Sequence, residues 1–221
     1  MSRRLSQPLV PTVLALITVI SISCTQGDDP ETAPAYHPGP LQGTEPWGTI
    51  TLTGVPARVD QPISIGVEVV SHDMPADLRI EGIRLIGAPD ELRVVGALAS
   101  TGRGESFVCV GSSRSFPPAG CRVDPLEGWR ISGEAVEHGG FQIVLGLAAS
   151  RPGTYGYPGV LLTYTDTTGE RFTDVFLQGG QVCAPMKDGQ LGCPRSGEIR
   201  RDQREVAEDL EAGTFVMPTA A

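Results

Sequence analysis

The sequence is poor in lysine and contains no basic run. Lys187 stands alone against sixteen arginines, and the only adjacent basic pairs are Arg3-Arg4 and Arg200-Arg201. With a formal net charge of -9, the chain offers polyanions no electrostatic foothold, so nucleic acid is not an expected partner. Catalytic signatures are missing too. There is no G-x-S-x-G, no H-E-x-x-H and no glycine-rich phosphate loop between a strand and a helix. The three histidines, His37, His72 and His138, are far apart in sequence. With no nucleophile beside a base and no clustered acids, the chain is not expected to be an enzyme or to need a cofactor. It also lacks an apolar run of membrane-spanning length. The stretch Leu9–Ile22 is broken by Pro11, and a spanning helix asks for roughly 20 apolar residues.

What is present points to a folded β domain. The chain has 221 residues, 40% of them hydrophobic and 19% charged, which suits one packed domain with tails. Its 28 glycines and 19 prolines imply many turns between short strands.

Residues 1–23 have signal-peptide anatomy: basic Arg3 and Arg4, then the apolar stretch, then small Ser23 before Cys24. The run Ile20–Cys24 resembles the bacterial lipobox. That resemblance implies that the Cys24 thiol is diacylated and becomes the new N-terminus, holding the mature chain to the extracytoplasmic face of the cell membrane. Two acyl chains suffice for stable anchoring. Ser2-Arg3-Arg4 also resembles the start of a twin-arginine signal.

Five cysteines become an even set once Cys24 carries lipid, leaving Cys109, Cys121, Cys183 and Cys193 for an oxidising compartment. Four cysteines allow three pairings. Each neighbouring pair closes a short turn-rich segment at low entropic cost, which favours Cys109 with Cys121 and Cys183 with Cys193. In CAPMKDGQLGC a turn at Lys187-Asp188-Gly189 sets Cys183 opposite Cys193 across a hairpin. The spacings lack the two-residue cysteine pairs of zinc sites.

Residues 24–47 form the acylated cysteine and a tether rich in Pro, Gly and acid, expected to be disordered. From residue 48 the texture changes to period-two alternation, with strands expected at 49–53, 63–70, 78–86, 92–98, 107–110, 129–131, 141–148, 160–165 and 172–177. Turn signals separate them, Gly139-Gly140, Arg151-Pro-Gly and Gly179-Gly180 among them. The expected fold is all-β: a two-sheet antiparallel sandwich over 48–182, followed by a disulfide hairpin at 183–195, a C-terminal helix at 196–213 and a tail at 214–221. The helix has Ser196 as N-cap and Gly213 as stop, with Ile199, Gln203, Val206 and Leu210 on one stripe. Its Arg201/Glu205 and Arg204/Glu208 are spaced as i,i+4 pairs. This helix is expected to dock on the sandwich or to bind a partner.

The stretch from Arg151 to Phe176 resembles the last two strands of bacterial immunoglobulin-like domains. The resemblance implies an immunoglobulin-like sandwich, with Tyr155 or Tyr157 as the corner tyrosine bonded back to nearby backbone. His72 and Met74, with Met186 and His138 elsewhere, resemble the ligands of periplasmic copper carriers, since thioether and imidazole suit Cu(I). The acid pairs Asp90-Glu91 and Asp124 with Glu127 are candidate Ca²⁺ ligands. Ser112, Ser113 and Ser115 are the serines an unrecognised hydrolase would use. By elimination the expected function is a non-catalytic surface lipoprotein, a binding or scaffold module for an envelope protein or glycan. Its layout resembles the small lipoproteins of high-GC Gram-positive bacteria. Copper binding and an unrecognised hydrolase are the alternatives.

Overall fold

A computed structural model of the protein describes residues 36–41, 51–70, 77–101, 108–137, 140–184, 193 and 197–217. Eleven strands and two helices occur in the order β1 (Thr51–Pro56), β2 (Ile63–Val70), β3 (Arg79–Ile86), β4 (Leu92–Ser100), β5 (Ser112–Ser113), β6 (Asp124–Pro125), α1 (Gly133–Glu137), β7 (Gly140–Ala149), β8 (Gly153–Tyr157), β9 (Gly159–Thr165), β10 (Arg171–Phe176), β11 (Gln178–Ala184) and α2 (Gly197–Ala212). The fold is the expected all-β immunoglobulin-like sandwich with a C-terminal helix.

One layer is a five-stranded sheet in the order β5-β2-β7-β4-β6. The other layer is built around a single long hairpin, with β1 and β3 at its sides. Its first arm is β8 and β9, separated only by Pro158; its second arm is β10 and β11, separated only by Leu177. Below the break β9 lies between β10 and β3; above it β11 lies between β1 and β8, and β1 joins β11 in parallel. Tyr157 pairs with Gly180 and Val160 with Phe176, so two residues on one arm face three on the other. That is a β-bulge, and it bends both arms together.

Alternation along the strands sends Ile63, Ile65 and Val67 of β2 and Phe141, Ile143, Leu145 and Leu147 of β7 inward, against Val160, Leu162, Tyr164 and Phe176. All are buried. β7 is buried at all ten positions, so its outward face is covered as well. The cover is the segment 108–125, whose two ends pair with opposite borders of the sheet: β5 with β2, and β6 with β4. Between them it crosses the sheet on a floor of glycine. Gly96 and Gly146 are register partners on β4 and β7. A Cβ on Gly146 would meet the Phe116 ring at 2.6 Å, and one on Gly96 would meet it at 2.9 Å.

On the opposite outer face, α2 lays Leu210, Val206 and Ala207 with Phe215 and Met217 over Leu161, Val175 and Leu177. Helix α2 spans Gly197–Ala212, and Gly213 leaves it at φ 68°. This is the helix that the stripe and its glycine stop anticipate.

Four expectations differ from what is found. Gly179 and Gly180 do not turn; they run inside β11, where a Cβ on Gly180 would meet the Tyr157 ring at 2.6 Å. Glycine serves close approach there, not reversal. Residues 153–157, where the turn signal Arg151-Pro-Gly ends and no strand is expected, form β8. The stretches 108–110 and 129–131 are not strands; the second makes a single bridge between Arg130 and Arg79. Residues 36–41, expected in the tether, pack on the domain, and Leu41 is fully buried.

The glycine floor yields a test. Gly146→Ala is expected to lower the unfolding free energy by about 1–3 kcal/mol through overpacking against Phe116. The double variant Gly146→Ala/Phe116→Ala should lose less than the sum of the two single variants, as measured by urea titration. Strict additivity would show that the ring does not sit on Gly146.

Candidate functional site

Polar groups are concentrated where backbone segments lack a strand partner. The best-built of these places is the outer border of β10. Phe172, Asp174 and Phe176 share the inward parity of that strand, so Asp174 is a carboxylate placed where the pattern calls for an apolar side chain. It is fully buried. One of its oxygens, Oδ1, accepts the Gly39 amide at 2.8 Å and the other, Oδ2, accepts the Tyr164 hydroxyl at 2.6 Å. That hydroxyl in turn accepts the Leu41 amide at 3.1 Å. The Thr173 amide, pointing away from β9, donates to the His37 carbonyl at 2.7 Å. Tyr36 stacks edge-on to Phe215, and the His37 ring lies over Phe172. Residues 36–41 are therefore a strap. It starts on the α2 side of the sheet, passes the border of β10 and ends with Leu41 in the core. A Cβ on Gly39 would collide with the Tyr164 hydroxyl, so only glycine fits beneath it.

Burial raises the Tyr164 phenol far above its ordinary value, and the neighbouring Asp174 charge adds to the rise. The phenol stays protonated and donating at any physiological pH. Carboxylate and phenol are both occupied by the strap, so the cluster is a clamp and not an acid–base pair.

Glutamine side chains serve other backbone segments in the same way. Gln142 of β7 is fully buried. Its Oε1 accepts the Cys109 and Val110 amides at 2.9 Å each, and its Nε2 donates to the Val110 carbonyl at 2.8 Å. Gln178 accepts the Glu68 amide on its Oε1 at 2.7 Å and donates from its Nε2 to the Glu68 carbonyl at 2.5 Å, on the side of β2 facing away from β7. Gln203 of α2, also fully buried, donates to the carbonyls of Pro158 and Leu177 at 3.0 Å each. Those are the two residues at which the long hairpin bends.

The cysteines pair as expected: Cys109 with Cys121 and Cys183 with Cys193, at Cα separations of 5.8 and 5.6 Å. Cys183 lies within β11, so the hairpin boundary drawn at 183 falls inside a strand. Cys24, His72, Met74, His138, Met186 and the turn Lys187-Asp188-Gly189 lie outside the described residues. Of the candidate serines, Ser112 and Ser113 form β5, and the Ser115 carbonyl accepts the Ser64 hydroxyl at 2.6 Å. Glu91 sits 3.9 Å from Arg151. No group of three or more His, Cys, Asp or Glu converges as a metal-holding set among the described residues. The Tyr155 hydroxyl donates to the Pro152 carbonyl at 3.1 Å, which is the corner-tyrosine bond expected of Tyr155 or Tyr157. Sequence reading missed Asp174, Tyr164 and Gln142, although the lone acid in FTDVF, between two phenylalanines of one parity, was a usable signal.

The strands define an immunoglobulin-like sandwich without a catalytic constellation among the described residues. No family model and no curated protein matches the sequence. Among solved structures, the chain is similar to the ASH / PapD-like domain of human CEP192 (PapD-like domain 7). The identity is 12%, 63% of this chain and 84% of that chain are covered, and the TM-score is 0.30.

Two outcomes test this construction. Gln203→Leu leaves two buried carbonyls without their donor and is expected to cost about 2–4 kcal/mol in urea titration, against less than ~0.5 kcal/mol for the exposed Arg204→Leu. Equal effects would remove Gln203 from its role at the bend. Tyr157 has a fully buried hydroxyl with no partner among the described residues, and burial raises its phenol well above the ordinary value. Its folded value exceeds its unfolded one, so the stability it carries is whole below about pH 10 and falls as pH rises from there. Tyr157→Phe is expected to add about 1 kcal/mol at pH 7, with the gain widening by up to ~1.4 kcal/mol per pH unit above 10. A gain that stays constant between pH 8 and 11, in parallel denaturation series, would contradict the assignment.

Proposed function

We propose that this chain is a lipid-anchored, non-catalytic binding or scaffold module on the extracytoplasmic face of a bacterial cell membrane, serving an envelope protein or glycan. The cysteine pairing carries the reading. Cys109–Cys121 and Cys183–Cys193 use all four cysteines beyond the leader, which leaves Cys24 as the remaining thiol of the sequence. Paired cysteines belong to oxidising compartments, and the lipobox-like run gives the fifth cysteine its chemistry. Two features favour contact through loops over strand addition. The border of β10 is occupied by the strap, and Glu68 on β2 is paired by Gln178. The segment 108–125, closed by a disulfide and paired at both ends with its sheet, is a pre-ordered loop surface.

The anchor is tested by feeding expressing cells a clickable fatty-acid analogue and comparing wild type with Cys24→Ala. Label is expected on the wild-type chain and absent from the variant, which should leave the membrane fraction. Equal labelling of both chains sinks the proposal.

A further inference from the structure

Arginines that are far apart in sequence meet on one face of the sandwich. Arg79 of β3 is the register partner of Thr165 on β9, and Thr165 is the partner of Arg171 on β10. On its other side Arg79 forms the isolated antiparallel bridge to Arg130. In-register partners share a face, so Arg130, Arg79, Thr165 and Arg171 make one row. The row lies on the outer face, because the neighbouring pair Ile80 and Tyr164 points into the core. All three arginines are exposed.

The charges along this row are balanced unevenly. The Arg171 guanidinium is held by Glu81 at 2.8 Å. Asp166, next to Thr165, turns its Oδ1 to Thr168 and Glu170. Among the described residues, no ion pair joins Arg79 or Arg130 to a carboxylate. The backbone nevertheless forces these two together. The Ile80 amide donates to the Trp129 carbonyl at 2.8 Å, and the Ile131 amide donates to the Leu78 carbonyl at 2.9 Å. Bonds on either side of a bridge make it the non-hydrogen-bonded kind, with Cα atoms only about 4.5 Å apart and side chains at their closest. Two permanent cations set directly opposite each other repel. The Arg79 guanidinium lies along Gly128, where a Cβ would meet its Nη2 at 3.8 Å and its Nε at 4.0 Å. A Cβ on Gly82, which pairs with Thr163 on the same face, would meet nothing within 4 Å, so the space beside the row is open.

We infer that Arg79 and Arg130 form a binding site for a phosphate-type dianion, either the free ion or a monoester. An anion between the two guanidinium groups turns their repulsion into attraction. Each guanidinium presents a planar fork that takes two oxygens side by side. A carboxylate has two oxygens and fills one fork, whereas a phosphate monoester has three terminal oxygens and engages both by sharing one. The net charge of -9 repels long polyanions, so the site suits a compact group and not a polymer. It stands apart from the segment 108–125 and does not depend on the anchoring of Cys24.

The experiment titrates the full-length, disulfide-bonded chain in non-ionic detergent with inorganic phosphate, glycerol phosphate or acetate. Ionic strength is held constant, because added salt by itself screens such contacts. The arginine Nε–H NMR signals report binding. Phosphate is expected to shift the Arg79 and Arg130 signals saturably, with acetate binding at least about tenfold more weakly. Arg79→Gln and Arg130→Gln should each weaken phosphate binding at least about tenfold. Arg93→Gln, which removes an exposed arginine paired with Asp60, should leave it unchanged. Arg79→Lys keeps the charge and loses the fork, so its affinity should fall between those of wild type and Arg79→Gln. Glycerol phosphate binding as tightly as inorganic phosphate assigns the site to an ester, and binding of inorganic phosphate alone assigns it to the free ion. The site is overturned if the wild-type chain shows no saturable shift or takes acetate equally well. Full affinity in both glutamine variants, with their thermal midpoints unchanged, overturns it too.

Discussion

The architecture depends on the bend in its long hairpin. A two-against-three bulge leaves the carbonyls of Pro158 and Leu177 outside the ladder, in the apolar layer beneath α2. Buried carbonyls left unpaired would cost about 1–3 kcal/mol each, enough to straighten the arms or open the layer. Gln203 answers both with one carboxamide. The helix is therefore more than a lid over Leu161, Val175 and Leu177: its one buried polar residue fixes where along the hairpin the lid must sit. Leucine at that place on the stripe would satisfy hydrophobicity and lose the register.

The same device recurs at other backbone segments that lack a strand partner. Gln142 serves as a strand partner for Cys109 and Val110, Gln178 does so for Glu68, and Asp174 with Tyr164 receives the amides of the strap. At these places side chains stand in for neighbouring strands. A border closed in this way resists pairing with another chain, which guards the sheet against strand-to-strand aggregation.

Much of this was legible in the sequence, and the limits of legibility have a common cause. Period-two alternation gave β2, β3, β4, β7, β9 and β10 nearly to the residue, and the helix with its glycine stop was placed within one residue at each end. The disulfide pairing followed from short closures. What escaped were features in which a residue serves a distant segment. Gly179-Gly180 has the chemistry of a turn but is glycine because the Tyr157 ring and the Gln203 amide lie against it. YHPGPL has the composition of a linker, yet its backbone amides are captured by an acid and a phenol more than a hundred residues away. Composition describes what a segment does in water; it is silent about a partner waiting on another strand. The lone Asp174 between two inward phenylalanines was the one local sign that such a partner was needed.

The two disulfides make sense within this arrangement of covers. β7 is buried along its whole length, so both of its faces need apolar shielding, yet the sandwich supplies only one. The second shield is a segment with two-residue strands at its ends and no regular structure between, held by few ladder bonds. Such a segment loses conformational entropy on ordering that its own contacts barely repay. Closing it between Cys109 and Cys121 removes much of that entropy from the unfolded chain, roughly 3 kcal/mol for a loop of this size. The Cys183–Cys193 bridge performs the matching service on the other side, tying β11 to the chain just before α2. Each outer cover of the sandwich is thus backed by one covalent link, α2 having in addition its apolar packing and the Gln203 hydrogen bonds.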